Sequence, residues 1–208
     1  MGEEQVSQTQ ARYDRIAPVY DLMEFTVEKL AFEDWRAQLW SLLEGQRVLE
    51  VGVGTGKNLP YHRAGSRVTA VDLSPRMLVR AQQKASESSA GLDFVRADAQ
   101  HLPFATGAFE SAVATFVFCS VPDPVQGLRE VARVVRPGGQ VLLLEHVRVN
   151  EPVVGPLMDL ADPLVVRLMG AHINRQTEEN VRRSGLKVER VEPLAPGSLV
   201  KLMVVRAP

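Results

Sequence analysis

The chain has 208 residues, 45% of them hydrophobic and 24% charged, with a formal net charge of −1. That balance fits one globular domain with a full core and excludes a strongly basic nucleic-acid-binding protein. A single cysteine, Cys119, excludes an internal disulfide and suits a reducing compartment, so a cytoplasmic location is expected.

Residues 1–10 are polar and acidic, without the basic and apolar pattern of a secretory signal. No stretch of about 18 apolar residues is present, so no bilayer-spanning helix is expected, and weak attachment to a membrane surface stays open. The first 44 residues read as helical. Trp35, Leu39, Leu42 and Leu43 recur on one helical face, which Gly45 is expected to end. From Gly45 onward strands and helices alternate. Strands are predicted at Arg47–Val51, Arg67–Val71, Leu92–Ala97, Ala112–Val117 and Gln140–Val147. Helices are predicted at Pro75–Ser86, with Ser74 as N-cap, and at Pro124–Val135. Pro137-Gly138-Gly139 reads as a turn into the fifth strand. A helix over Asn174–Ser184 is followed by two strands, Leu186–Val191 and Leu199–Arg206, with no helix between them. The expected fold is therefore α/β: a Rossmann-like seven-stranded sheet of five parallel strands and a C-terminal antiparallel hairpin. One domain spans 1–208, with a helical lid over 1–44 and an acceptor-side insert near 151–173.

The strongest chemical signal is Glu50-Val51-Gly52-Val53-Gly54-Thr55-Gly56, between a strand and a helix. Glycines there let the backbone turn tightly and approach a ligand closely. Asp72 closes the second strand, where an acid accepts hydrogen bonds from ribose hydroxyls. The same segment could serve as a tight turn without a ligand. A dinucleotide is the other ligand to weigh. Its enzymes usually show G-x-G-x-x-G, whereas the spacing here is G-x-G-x-G with Glu50 ahead of it. A carboxylate suits an ammonium group better than a phosphate, because like charges repel.

On these motifs the chain resembles the class I S-adenosylmethionine (SAM)-dependent methyltransferases, from about Tyr13 to the C-terminus. Val48–Gly56, Val71-Asp72, Ala97-Asp98-Ala99 with Leu102-Pro103-Phe104, and Phe109–Pro124 resemble that family's successive motifs, with Arg136-Pro137-Gly138-Gly139 as the turn before strand five. The resemblance implies SAM as cofactor. It implies Gly52, Gly54 and Gly56 along the methionine part, Asp72 at the ribose, Asp98 and Ala99 at the adenine, and Thr115 and Phe116 near the sulfonium. Tyr13, Glu50 and Leu73 complete the implied set. Asp98 could instead be a turn residue and Phe116 a core residue.

Tyr13-Asp14-Arg15-Ile16-Ala17-Pro18-Val19-Tyr20-Asp21 resembles the entry segment of quinone-biosynthesis methyltransferases and bacterial phosphatidylethanolamine N-methyltransferases. That resemblance implies a lid over SAM, with Tyr20 reaching the active site; the alternative is a pair of tyrosines anchoring a surface helix. After strand five the chain reads Glu145-His146-Val147 rather than the Glu-Phe-Ser-like stretch associated with the quinone enzymes. His146 stands where open α/β sheets place ligands, and with Tyr20 it is the catalytic candidate. A structural role for His146 is the alternative. His62 reads as a surface residue, and His101 and His172 as loop residues. No His, Cys and carboxylate cluster has metal-ligand spacing, so no metal is expected. Pro156–Met169 is apolar and followed by Arg175, Arg182 and Arg183, which suits an amphiphilic acceptor with an anionic head group, or an ordinary core-facing helix. A small soluble acceptor is the competing expectation. From other classes come a SAM-binding protein without transfer activity and a nicotinamide oxidoreductase. No nucleic-acid partner is expected.

Overall fold

In the computed structural model, which describes residues 2–18, 32–149, 151–169, 172–195 and 199–208, every expected strand is present. They are β1 (Arg47–Val51), β2 (Arg67–Asp72), β3 (Gly91–Arg96), β4 (Phe109–Thr115), β5 (Val135–His146), β6 (Lys187–Pro193) and β7 (Val200–Arg206). The described helices are α1 (Gly2–Ile16), α2 (Glu33–Ser41), α3 (Pro75–Gln83), α4 (Pro124–Val134), α5 (Val154–Met169) and α6 (Thr177–Arg183). One sheet runs in the order β3-β2-β1-β4-β5-β7-β6. β1 to β5 are mutually parallel, and β7 runs antiparallel to both β5 and β6.

Both faces of the sheet are covered, which is why its central strands are apolar nearly throughout. On one face Val48, Val68, Val113 and Leu142 pack against Leu39, Trp40 and Leu43 in and just after α2. Ala70 there meets Leu78 and Ala81 of α3. On the other face Leu49, Val71, Ala112 and Leu143 pack against Leu128 and Val131 of α4 and Val181 of α6. Side chains alternate between the faces, so each strand feeds both layers.

Three local readings change. The helix expected to reach Gly45 ends at Ser41, and Gly45 instead takes φ +75° in the turn entering β1. The Pro137-Gly138-Gly139 segment lies inside β5, where Gly138 has φ +72° and the pairing with β4 shifts register between Phe109 and Ser111. The chain therefore bends without leaving the sheet, as a bulge does. Finally, Ser74 does cap α3, accepting from the Met77 amide at 3.1 Å, but that helix ends at Gln83 and continues only as a 3-10 turn over Ala85–Glu87.

Strand order reverses at β1, whose neighbours are β2 on one side and β4 on the other. Connections from the carboxyl ends of β1 and β4 must diverge there, and that divergence leaves a crevice.

Candidate active site

The crevice is a cleft of about 740 Å³, counting its open mouth. Of the sequence-selected residues it gathers Tyr13, Gly52, Gly54, Asp72, Leu73, Asp98, Ala99, Thr115 and Phe116. They arrive from α1 and from the carboxyl ends of four adjacent strands.

The loop after β1 is set by glycines in the left-handed region: Gly52 at φ +70°, Gly54 at +57° and Gly56 at +86°. The amides of Gly52 and Val53 both donate to the Val71 carbonyl, at 2.8 and 3.0 Å. A Cβ on Gly52 would lie 2.4 Å from Cγ2 of Val117, whereas one on Gly54 would meet no protein atom within 4 Å. Gly54 therefore holds open the space of the cleft. Gly56 does not line it. Its missing side chain admits Leu59, whose Cδ1 would be 2.6 Å from a Cβ, so its job is packing.

Asp72 sits at the end of β2 with both oxygens engaged. Oδ2 accepts from the Gly54 amide and Oδ1 from the Ser74 amide, each at 2.9 Å. Burial pushes its carboxyl up to about 6, against those two amides, with Glu50 and Asp14 adding repulsion. Each oxygen keeps a further lone pair for a ligand. Asp98 accepts from the Gln100 amide at 2.9 Å, an arrangement that turns the chain after β3 and leaves Ala99 on the cleft wall.

Glu50 is placed elsewhere than a ligand-facing role requires. It is fully buried and does not line the cleft. Its Oε1 accepts from Asn58 Nδ2 at 2.8 Å, and its Oε2 lies 3.0 Å from His62 Nε2. Asn58 also donates to Thr115 Oγ1 at 3.1 Å and accepts from Arg36 Nη1 at 2.9 Å. His62, expected at the surface, is only 3% exposed; its ring packs on Trp40 and its Nδ1 lies 3.0 Å from Ser88 Oγ. A buried carboxylate needs such partners; both come from the segment between β1 and β2, and Asn58 is held in turn by Arg36 of α2 and Thr115 of β4. Sequence reasoning missed Arg36 and Asn58, which no local spacing marks out.

Phe116 is the sole described non-glycine residue with positive φ, +57°. Such strain persists only where surroundings hold it, and often at functional sites. Here its amide donates to the Leu144 carbonyl at 2.7 Å. Its ring stacks on His146 at 4.5 Å between centroids, packs on Phe32 at 4.7 Å and lies under the Arg36 guanidinium at 5.6 Å. His146 itself is half-buried and does not line the cleft, so it meets the site through Phe116. The turn after Phe116 is held by Glu145, whose Oε1 accepts from the amides of Val117 and Phe118 at 2.9 and 3.0 Å. Tyr20, the other catalytic candidate, lies outside the described residues.

α1 closes one side of the cleft. Asp14 Oδ1 accepts from Ser74 Oγ at 2.5 Å and from the Arg76 amide at 3.4 Å, so a carboxylate of α1 rests on the amino end of α3. That contact brings Thr9 and Tyr13 over the cleft.

The chain is similar to known proteins in the same region. Residues 49–143 match the family model described as a methyltransferase domain. The chain is 37% identical over 161 residues to a phosphatidylethanolamine N-methyltransferase of Cereibacter sphaeroides, covering 74% of this chain and 77% of that protein. It is 32% identical over 171 residues to a demethylmenaquinone methyltransferase of Renibacterium salmoninarum, covering 80% and 69%. Among solved structures, a SAM-dependent methyltransferase from Thermotoga maritima shares the fold with a TM-score of 0.72 at 21% identity, over 95% of this chain and 99% of that one.

Proposed function

The chain belongs to the SAM-dependent methyltransferases, and we propose that it methylates an amphiphilic acceptor, with phosphatidylethanolamine the favoured substrate. Its cofactor is S-adenosyl-L-methionine, which when bound supplies a methyl group made electrophilic by a positively charged sulfur. The cleft suits that molecule in its lining, in the space over Gly54 and in the spare lone pairs of Asp72.

In this reading Asp72 accepts from the ribose hydroxyls, while Asp98 and the Ala99 backbone meet the adenine. Gly52 and Gly54 flank the amino-acid portion, and Tyr13 and Leu73 close the sides. Thr115 and Phe116 border the reacting methyl. Glu50 and Gly56 act from behind, holding the glycine loop and Asn58 in place. Tyr20 remains a proposed acceptor-side residue. The stacking of His146 on Phe116 supports a positioning role for that histidine rather than direct proton removal. Alignment of acceptor, methyl and sulfur and exclusion of water account for most of the catalysis such a site needs.

The observation that carries the acceptor class is the outer face of α5. Val153, just before the helix, and Leu157, Leu160 and Leu164 within it recur at helical spacing and are 77%, 61%, 79% and 62% exposed. The opposite face carries Met158 and Asp162, both buried. A stripe of large apolar side chains facing water marks an interaction surface, and an amphiphile-bearing membrane is the proposed occupant. No helix among the described residues is long and apolar enough to cross a membrane, and the net charge is near zero, so attachment should be weak and reversible.

A second reading, a small soluble acceptor such as a quinol, draws on the likeness to a demethylmenaquinone methyltransferase and on the Phe116 ring at the cleft, backed by Phe32. Sedimentation with liposomes, paired with transfer of labelled methyl to phosphatidylethanolamine in detergent micelles, separates the two. Leu157→Ser with Leu160→Ser should abolish sedimentation while leaving the melting temperature unchanged. No binding by the unaltered protein, together with brisk turnover of a quinol, would refute the amphiphile reading.

A further inference from the structure

Beside the cofactor cleft lies a second cavity of about 560 Å³, counting its mouth, which shares Thr9, Ser120 and Pro122 with the first. Its chemistry differs. Arg12 enters from α1, where Gln5, Gln8, Thr9 and Arg12 form one helical face. Arg175 and His172 enter from the segment after α5, and Val166 from α5 itself.

Neither arginine has an anionic partner among the described residues. Among the described residues no carboxylate lies within ion-pair distance of Arg12 or Arg175. Arg175 donates from Nη2 to the Val121 carbonyl at 3.0 Å, yet its Nε is buried with no acceptor. A buried unsatisfied N–H is unfavourable, and more so on a charged group. Burial pulls the Arg175 guanidinium below its usual range, and Cys119, Asp162 and Asp123 offset this only in part. Asp162 is committed otherwise: Oδ2 lies 2.8 Å from His172 Nδ1 and Oδ1 accepts from the Ile173 amide at 2.8 Å. That bond holds the His172 ring at the cavity wall.

We propose that this cavity is the subsite for a phosphate ester carried by the methyl acceptor, gripped by Arg12 and Arg175. Two guanidinium groups at a polar cavity fit a tetrahedral oxyanion, to which guanidinium N–H groups make charge-assisted hydrogen bonds. The shared wall of Thr9, Ser120 and Pro122 puts an amine joined to that phosphate by a short linker at the mouth of the cofactor cleft. The inference rests on the amphiphile reading above and names what selects the acceptor. It also explains why arginine stands on both α1 and the segment after α5: the anion bridges the two elements that flank the cleft.

The test uses the full chain with S-adenosylhomocysteine present, and calorimetry with inorganic phosphate, O-phosphoethanolamine and ethanolamine as probes. O-phosphoethanolamine should bind and ethanolamine should not. Arg12→Gln and Arg175→Gln should each weaken that binding at least tenfold, with cofactor affinity unchanged; Arg175→Lys should recover part of it. In micelle assays the same variants should raise KM for phosphatidylethanolamine far more than they lower kcat. Binding of inorganic phosphate alone, with equal affinity, would assign the site to free phosphate and overturn its role in acceptor choice. Absence of phosphate-ester binding by the unaltered protein, or binding indifferent to both variants, would overturn the subsite itself. Turnover of a quinol with intact, arginine-dependent O-phosphoethanolamine binding would overturn the lipid substrate while the anion site stood.

Discussion

Replacing Asp72 by asparagine should stabilise the ligand-free protein and weaken cofactor binding at once. The fold raises this carboxyl from 3.8 to about 6, mainly by burial. A step of about 2.2 pH units at 1.36 kcal/mol each is about 3 kcal/mol against the ionised form. Because the folded value lies above the unfolded one, the penalty builds as pH rises from 3.8 to about 6 and is constant above that. Asparagine stands in for the uncharged form and removes it, although its single oxygen can serve only one of the Gly54 and Ser74 amides. A net gain of about 1–3 kcal/mol at pH 7.5 is expected, roughly 2–4 °C of melting temperature per kcal/mol for a chain of this size. The gain should vanish near pH 4. Cofactor affinity should move the other way, because the proposed charge-assisted bonds from Asp72 to the ribose, about 1.5–3 kcal/mol, would be lost, a ten- to over hundredfold effect. In the unaltered protein the same affinity should decline below pH 6, by at most about tenfold per pH unit, and in Asp72→Asn it should not. Thermal melts across pH and calorimetry read both quantities. A variant less stable than the parent at pH 7.5, with cofactor affinity intact, would refute the assignment of Asp72 as a ligand-holding rather than a structural group.

Gly52→Ala should cost more than backbone strain, since its Cβ would fall 2.4 Å from Val117 at φ +70°; Gly65→Ala, at φ +79° with nothing within 4 Å, should cost only about 1–2 kcal/mol. Denaturant melts compare the two, and only Gly52→Ala should also abolish cofactor binding. Asp14→Ala should loosen α1 from α3, seen as faster proteolysis of α1 and severalfold weaker cofactor binding; unchanged values would remove α1 from the site. Glu145→Gln keeps the acceptor for the Val117 and Phe118 amides but lacks a carboxyl that burial pushes up to about 7 from 4.5. Its advantage over the parent in urea melts should therefore grow from pH 4.5 to 7 and level off above, and an equal advantage at pH 5 and pH 8 would contradict that.

Much of the fold was legible because its signals are local. An apolar run such as Leu142, Leu143 and Leu144 reads as a doubly covered strand, and the Ser74-Pro75 pair reads as a helix start, without knowledge of any distant residue. The cleft floor was legible for the same reason: Gly52, Gly54 and Asp72 stand at strand ends, and parallel strands bring those ends to one edge. Less was legible about partners. Glu50 precedes the glycines in a way that suggests a ligand ammonium, yet Asn58 and His62 take its oxygens. His146 follows β5 like a catalytic base, yet it stacks behind Phe116.

The sequence by itself determined the strand and helix order, the glycine loop and the acid that closes β2, since each depends on residues within a few positions of one another. Only the tertiary structure decided that β7 inserts between β5 and β6, that Arg36 of α2 reaches both Asn58 and Phe116, and that Arg12 and Arg175 meet across one cavity. Those outcomes depend on which surfaces bury one another. Partner choice of that kind is settled by the packing of the whole chain, where charge and shape must be satisfied together, and no spacing along the sequence encodes it.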